Sequence, residues 1–474
     1  QEQFRKDNPI KTLLKFSIGP LFSETSELLF AISMCIFLGQ KSQLDLAALS
    51  AAEPLENICP IIGWWVQAGI SSHVSRLLAK SMTYQIKMVS LYSLLITIVV
   101  SSLIAIIMIL SMNKLLPLMG IKEELLQQTK NFLLPLFSAA PLISSYYMLS
   151  GLAFGLGYVK FFTFMSIGPV IFGVAVIQPM FIIWLKMGTY GAALAQVISY
   201  AIPVAIYLVF FIFYEKLIKI FKFNSDHLQG DRLHVLQNVS KVLHIGLPEL
   251  VAAYTWVATV AIGYKFLSDI STELKLYEQL SALWGIVSRL MSLIFSFTNG
   301  INIGTLATAS FSQGDNNKTR FWGFIRSNFM LCCGLATFFE VLFMAIPGLI
   351  LQLFGLQKDI LDLGNALFRI SLCSTVIQPI SYCTQVMFQS LDMANYSLAL
   401  AFVSILVTPG MYVLTYYTSI GKLGRIEIFM ASSTFTDIVL GVACLTLWLV
   451  ARRKMDEKWI LNKRAESEET PFIN

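Results

Sequence analysis

Apolar blocks of about 20 or more residues alternate with short polar segments along almost the whole chain. A helix needs about 20 apolar residues to cross a bilayer, so each block is long enough to span one. The pattern predicts an all-α, polytopic membrane protein whose twelve membrane-spanning helices leave both termini on one side. The predicted spans cover roughly residues 14–38, 46–75, 88–112, 131–156, 161–185, 190–213, 242–267, 279–311, 327–354, 366–390, 397–417 and 426–450.

The composition supports the same class of protein. Of the 474 residues, 56% are hydrophobic and 13% are charged, and the mean hydropathy is +0.69. Soluble globular proteins carry about 25% charged residues. The composition therefore excludes a disordered chain and argues against a soluble one.

The cysteines and histidines of the sequence do not form the motifs of soluble enzymes or metal sites. Its seven cysteines lie in apolar stretches without CxxC spacing, and its four histidines lie far apart in sequence. We therefore expect no enzyme activity, no metal and no cofactor. The basic residues behind the net charge of +6 lie in loops between the spans. The orientation of a membrane protein accounts for basic residues in such loops, so the charge does not indicate nucleic-acid binding. The expected partners are the lipid bilayer and a small-molecule substrate, and a monomer is expected.

The distribution of Lys and Arg predicts the orientation. If the N-terminus is cytoplasmic, the inside segments carry about twice as many Lys and Arg residues as the outside loops. Both termini are therefore predicted to be cytoplasmic. Whether the membrane is a plasma or an organelle membrane stays open.

Short motifs recur at a nearly constant separation of about 230 residues, which indicates an internal duplication. The paired segments are 17–20 with 244–248, 69–75 with 304–310, and 188–191 with 421–424. Because each half contains six spans, the halves are parallel repeats, and such repeats can rock around a central site in alternating access. The predicted divisions are a cytoplasmic segment 1–13, an N-lobe 14–214, a cytoplasmic linker 215–241, a C-lobe 242–451 and a cytoplasmic tail 452–474.

Three segments carry a resemblance to a known family. They are residues 188–199, which read GTYGAALAQVIS with Gln196 in place of the usual Thr, residues 300–314, and residues 46–50. Together they resemble the multidrug and toxic compound extrusion (MATE) transporters. The resemblance implies two pseudo-symmetric six-helix lobes and an antiporter that exports organic, often cationic compounds against H⁺ or Na⁺. Pro20 matches the family's span-one proline, which is associated with a helix bend.

The chain departs from the resembled family at the usual coupling carboxylates. Met34 and Cys35 lie where many members carry an acid in span one, and Trp256 lies where others carry a Glu in span seven. Gln378 lies near the position of a further Asp in span ten. The family's coupling mechanism therefore cannot simply be carried over.

Other carboxylates lie within the predicted spans of the first half. Glu24 and Glu27 lie on one helical face of span one, and Glu53 and Glu56 are three residues apart in span two. Ionisable groups inside a membrane are costly and are functional hypotheses by default. These four carboxylates could share protons or hold Na⁺, which makes the N-lobe the preferred coupling site. The alternative is that Glu53 and Glu56 are hydrated near the outer interface and that Glu24 pairs with a basic residue.

The second half contains further candidates. Glu249 follows Pro248, while Glu340 and Asp437 lie within spans nine and twelve. Asp437 is a further candidate for ion coupling. The competing interpretation is structural ion pairing between helices, in which Arg289 could neutralise one of these acids.

Aromatic and amide side chains are the candidates for the substrate cavity, because aromatic faces attract organic cations and accept varied flat molecules. The 17 tyrosines and 35 phenylalanines of the chain make packing or interfacial belts the competing interpretation for each one. The candidates are Tyr146, Tyr147, Tyr254, Trp256, Trp284, Gln378 and Tyr382.

Two other functions stay open. A flippase for lipids or lipid-linked sugars from the same structural superfamily would need a cavity ringed with Arg and Lys. Here only Arg289, Arg326 and Arg369 lie within or at the ends of spans. A non-transport integral membrane protein is disfavoured by the span count, the duplication and the carboxylates within spans.

Overall fold

The computed structural model describes residues 8–118, 123–214, 228–275, 277–353, 361–418 and 422–469. Every regular element within these residues is helical, so the prediction of an all-α chain is confirmed there. Residues 215–227 of the predicted linker lie outside the described residues, while residues 228–241 form the first turns of a long helix.

Within the described residues, the first half contains eight α-helices, and two of them continue into π-helical turns. The π-helical turns follow α7 at Gly173–Ile177 and Pro179–Trp184, and follow α8 at Phe210–Tyr214. The α-helices are α1 (Pro9–Lys41), α2 (Gln43–Glu56), α3 (Ile58–Ala79), α4 (Thr83–Leu118), α5 (Glu123–Ser138), α6 (Ala140–Gly155), α7 (Val159–Phe172) and α8 (Gly188–Val209).

The second half contains the remaining α-helices of the described chain. They are α9 (Leu228–Glu273), α10 (Tyr277–Gly314), α11 (Lys318–Ala345), α12 (Pro347–Leu353), α13 (Leu361–Leu372), α14 (Gln378–Ser390), α15 (Ala394–Tyr417), α16 (Lys422–Met430) and α17 (Ser432–Glu469).

Within the described residues, nine single helices are long and apolar enough to cross a membrane, and α5 with α6, which meet at an angle of 53°, are long and apolar enough when taken together. Large apolar side chains point outward from these helices, including Leu110 at 77% exposure and Leu406 at 74%. Such exposure is costly in water and is typical of a surface that faces hydrocarbon.

Five predicted spans are divided, and four of the divisions lie just before a proline. Span nine is divided into α11 and α12 before Pro347, and span twelve, the exception, is divided into α16 and α17 at Ala431. Span two is divided into α2 and α3 at Asn57, before Pro60, and span four into α5 and α6, before Pro141. Span ten is divided into α13 and α14, with Pro379 in the first turn of α14. Proline lacks an N–H and clashes with the preceding turn, but it fits the first turn of a new helix. Pro20, by contrast, lies inside α1, which continues through it as a single helix.

The chain forms two compact units. One contains Ile18–Leu250, and the other contains the described residues between 8 and 17 together with the described residues from Val251 onward. The core of the first unit is rich in fully buried aromatic residues such as Phe132 and Phe154. The core of the second is centred on residues such as Ile294 and Phe368.

Helices α3 and α6 pack closely in the first unit because glycines lie at their contact. A Cβ added at Gly151 would lie 2.8 Å from the carbonyl oxygen of Gln67, and one added at Gly155 would lie 2.8 Å from that of Ser71. Polar side chains also join the helices: Gln67 Nε2 donates to Ser150 Oγ at 3.1 Å. Small residues and interhelical hydrogen bonds are the usual means of helix association in membranes. This contact fixes the position of α6, which carries two of the candidate site residues.

Gly151→Val is expected to destabilise the protein by about 1–3 kcal/mol, because the added atoms meet the backbone of Gln67, which cannot rotate away. The measurement is the thermal unfolding midpoint of the detergent-purified protein. Gly168→Val is the matched control, since a Cβ at Gly168 would have no heavy atom within 4 Å. Equal midpoints for the two variants would contradict the proposed close contact of α3 and α6.

Candidate functional site

Glu27 of α1 lies in a cluster of tyrosines from two other helices. The hydroxyl of Tyr147 on α6 donates to Glu27 Oε1 at 3.2 Å and lies 3.0 Å from the hydroxyl of Tyr200 on α8. Since the Tyr147 proton is directed to the carboxylate, Tyr200 is the donor in the second hydrogen bond. The three side chains thus form a hydrogen-bonded chain that ends on Glu27.

Aromatic rings surround this chain of hydroxyls. Tyr146 lies 5.1 Å from Tyr147 and 5.2 Å from Tyr200 between ring centroids, and Trp64 of α3 meets Tyr147 edge-on at 5.8 Å. We refer to Glu27, Trp64, Tyr146, Tyr147 and Tyr200 as the Glu27 cluster. It combines one carboxylate with four aromatic rings, which is a chemistry suited to a cation.

A second carboxylate lies close to the Glu27 cluster on the same helix. Glu24 is near enough to Glu27 to interact with it electrostatically, and both act electrostatically on Tyr146. Glu24 has a further contact of its own. Glu24 and Glu27 are three residues apart on α1 and so lie on one face of that helix.

Glu56, the last residue of α2, is hydrogen-bonded by Gln196, which lies one helical turn before Tyr200 on α8. Gln196 Nε2 donates to Glu56 Oε1 at 2.7 Å, while the Gln196 Oε1 atom is buried without a hydrogen-bond partner among the described residues. Gln196 and Tyr200 are four residues apart and so lie on one face of α8. This face presents an amide to Glu56 and a hydroxyl to the Glu27 cluster. The side chain of Glu53 lies outside the described part of the structure.

Gln178 holds α1 against the π-helical part of span five. It is fully buried between the two π-helical segments, accepts a hydrogen bond from Ser33 Oγ at 2.7 Å, and donates to the carbonyl oxygen of Phe30 at 3.1 Å. Both partners lie within two turns of Glu27 on α1. Gln178 therefore fixes the segment of α1 that follows the Glu27 carboxylate.

In the second unit, Asp437 lies beside the break of span ten. Ser374 Oγ, in the turn between α13 and α14, donates to Asp437 Oδ2 at 2.6 Å. The backbone N–H of Val376 in the same turn donates to Glu340 Oε2 at 2.8 Å. Both acids thus satisfy polar groups that the helix break exposes. The side chain of Arg289, their suggested counter-ion, lies outside the described part of the structure.

The predicted aromatic candidates of the second half do not form one cluster. Trp284 packs against Tyr412 and Phe429, at 6.0 and 5.9 Å between centroids, whereas Tyr382 packs against Phe295 at 5.2 Å. Three candidates lie elsewhere: Tyr254 at 38% exposure, Trp256 at 49% exposure and Gln378 at the start of α14. The described residues contain no group of three or more His, Cys, Asp or Glu side chains that could hold a metal ion.

Four residues of the first unit were not among the sequence candidates for the site, and Trp64 of the Glu27 cluster is one of them. Tyr200 and Gln178 were not singled out, and Gln196 was noted only as a departure from a motif. The spacing of Gln196 and Tyr200 on one face of span six is a signal that the sequence contains. Gln178 carries a weaker signal, as an isolated amide within an apolar span.

Comparison with known proteins identifies the family. The MatE family model matches residues 21–178 and 278–413. The chain is 21% identical over 391 residues to the multidrug export protein MepA of Staphylococcus haemolyticus, covering 82% of each chain. It is 20% identical over 418 residues to the MepA of a Staphylococcus aureus strain, covering 87% of this chain and 88% of that protein.

Solved structures of MATE-type transporters share the fold. A MOP superfamily transporter from Pyrococcus furiosus matches with a TM-score of 0.83 and 18% identity, over 96% of this chain and 98% of that one. A Vibrio cholerae MATE transporter matches with a TM-score of 0.81 and 18% identity, over 96% and 99% of the two chains. The predicted twelve-helix architecture is thereby confirmed. Because the family model covers more than half of the sequence, this multi-pass membrane protein belongs to the MatE family, the multidrug and toxic compound extrusion transporters, and not to a family of enzymes.

Proposed function

We propose that this transporter exports small organic cations in exchange for H⁺ or Na⁺, and that both cations use the Glu27 cluster. The observation that carries the proposal is the placement of the Glu27 carboxylate, hydrogen-bonded by Tyr147, among the rings of Trp64, Tyr146 and Tyr200. Membership of the MatE family and the multidrug export activity named for the MepA relatives support transport of this kind.

The chemistry of the cluster supports exchange between two cations. A carboxylate within a membrane is stabilised when a cation neutralises it, and either a bound organic cation or a small coupling ion can do so. The aromatic rings add cation–π attraction for the organic cation but little for a proton. Binding of one cation therefore disfavours binding of the other, which is the basis of antiport in an alternating-access cycle.

The orientation forms part of this proposal. We place both termini in the cytoplasm, on the excess of Lys and Arg residues in the segments that this arrangement puts inside. Reaction of a cysteine placed at position 453 with a membrane-impermeant reagent applied from outside would contradict this orientation.

Efflux from proteoliposomes tests the proposed exchange. The purified protein is reconstituted, a fluorescent organic cation is loaded, and a pH gradient or a Na⁺ gradient is imposed in separate experiments. We expect one of the two gradients to accelerate efflux, and that gradient identifies the coupling ion. Efflux that responds to neither gradient would overturn the proposal. Movement of a labelled lipid across the bilayer under the same conditions would instead support a flippase.

A further inference from the structure

The last helix continues beyond the apolar part of span twelve without a break. Helix α17 runs over Ser432–Glu469, and large apolar side chains are exposed along it up to Leu449 and Val450, at 56% and 62% exposure. Exposed cationic side chains follow at once on Arg452, Arg453 and Lys454. The boundary between hydrocarbon and lipid headgroups is therefore expected near Ala451.

The segment that follows these cations is fixed against its own unit. Lys318 Nζ lies 2.8 Å from Asp456 Oδ1, and Lys458 Nζ donates to the carbonyl oxygen of Asp392 at 2.6 Å. The Trp459 ring is buried and meets Phe321 edge-on at 5.5 Å. These contacts hold the part of α17 that follows the three cations against its own unit.

Within the described residues, none of the three cations of this surface forms an ion pair with an acid. In the described part of the chain, neither Arg452 nor Arg453 has a carboxylate oxygen within 4.0 Å, and Asp456 is engaged by Lys318. The Arg452 guanidinium lies over the Trp448 ring, 5.8 Å from its centroid. Tryptophan is enriched at the membrane interface, which places this guanidinium at the level of the headgroups.

We propose that Arg452, Arg453 and Lys454 form a binding surface for anionic phospholipid headgroups. Clusters of cations directly beyond a membrane span attract anionic lipids, and guanidinium groups bind phosphate through two parallel hydrogen bonds. The position of the surface at the end of the exposed apolar girdle, with its charge free for a phosphate, favours a lipid over a soluble anion. The surface is separate from the Glu27 cluster and does not depend on the proposed transport reaction.

Lipid-dependent thermal stabilisation of the full-length, detergent-purified protein tests this proposal. Phosphatidylglycerol, phosphatidylcholine or inorganic phosphate is titrated, and the unfolding midpoint is measured. We expect phosphatidylglycerol alone to raise the midpoint, with a smaller effect as NaCl is increased. In the R452Q/R453Q variant, the phosphatidylglycerol concentration for half-maximal stabilisation should rise by at least about tenfold.

Two further variants make the result specific. K80Q/K87Q removes the same charge at another pair of helix ends and should respond as the wild type does. R452K/R453K keeps the charge and should retain most of the response, which separates lipid binding from a folding defect of the Gln variant. The proposal is overturned if R452Q/R453Q responds like the wild type, if K80Q/K87Q loses the response equally, or if inorganic phosphate stabilises the wild type at the same concentrations.

Discussion

The Glu27→Gln variant is expected to lose gradient-driven export while still folding and binding its organic substrate weakly. Glutamine preserves the shape of the side chain and can accept the hydrogen bond from Tyr147, but it cannot exchange a proton or neutralise a cation. A charged side chain at the centre of the membrane costs about 2.5–3.5 kcal/mol, and neutralising it is what drives cation binding at Glu27. Without that charge, the gradient-dependent efflux rate should fall by at least about tenfold. The measurement is efflux from proteoliposomes with and without the coupling gradient.

Two other acid-to-amide changes serve as matched controls. Glu56→Gln alters the acid bonded to Gln196, and Asp437→Asn alters the acid bonded to Ser374 in the second unit. Both variants should keep at least half of the gradient-driven rate if coupling depends on Glu27. Loss of coupling in Asp437→Asn with normal coupling in Glu27→Gln would move the coupling site to the second unit.

Tyr147 should contribute to substrate affinity through its ring, and its hydroxyl should stabilise the Glu27 carboxylate through the hydrogen bond between them. Tyr147→Leu removes both, and the dissociation constant for a flat organic cation should rise about 3- to 30-fold, which corresponds to a cation–π attraction of about 0.5–2 kcal/mol. Tyr147→Phe keeps the ring, so its affinity should stay near that of the wild type. Equilibrium binding of a fluorescent cation to the purified protein measures both effects.

The comparison with Tyr382→Leu makes this prediction specific to the Glu27 cluster. Tyr382 is an aromatic candidate of the second unit that packs against Phe295, and its loss should leave affinity unchanged within about twofold. Equal unfolding midpoints for Tyr147→Phe and the wild type would show that the fold is intact. If Tyr382→Leu weakened binding and Tyr147→Leu did not, the substrate site would lie away from Glu27.

The sequence was sufficient for the fold because hydrophobic runs of membrane length carry a strong and simple signal. It was less informative about where spans are interrupted. The divisions beside Pro60, Pro141 and Pro379 follow from the chemistry of proline, yet Pro20 lies within an unbroken helix. Whether a proline divides a span depends on the packing that replaces the lost hydrogen bond, and that packing involves residues distant in sequence.

The candidate site could be predicted in its parts but not in its arrangement. Glu27 was proposed for ion coupling and Tyr147 for substrate binding because each residue type is unusual or useful within a span. Their hydrogen bond joins residues 120 positions apart, and no local pattern predicts such a pair. Gln178 was missed for the same reason, since its importance lies in its partners Ser33 and Phe30 on another helix.

Because α17 is one continuous helix, a label near its end moves a long way when the helix tilts. At 1.5 Å per residue, the exposed Glu457 lies about 38 Å along the helix from Ser432. A spin label or fluorophore at Glu457 would move by about 6 Å if the helix tilted by about 10° around its first residue, since no flexible joint within the helix absorbs the rotation. Distances measured between this position and a second label elsewhere in the protein would therefore report tilting of α17.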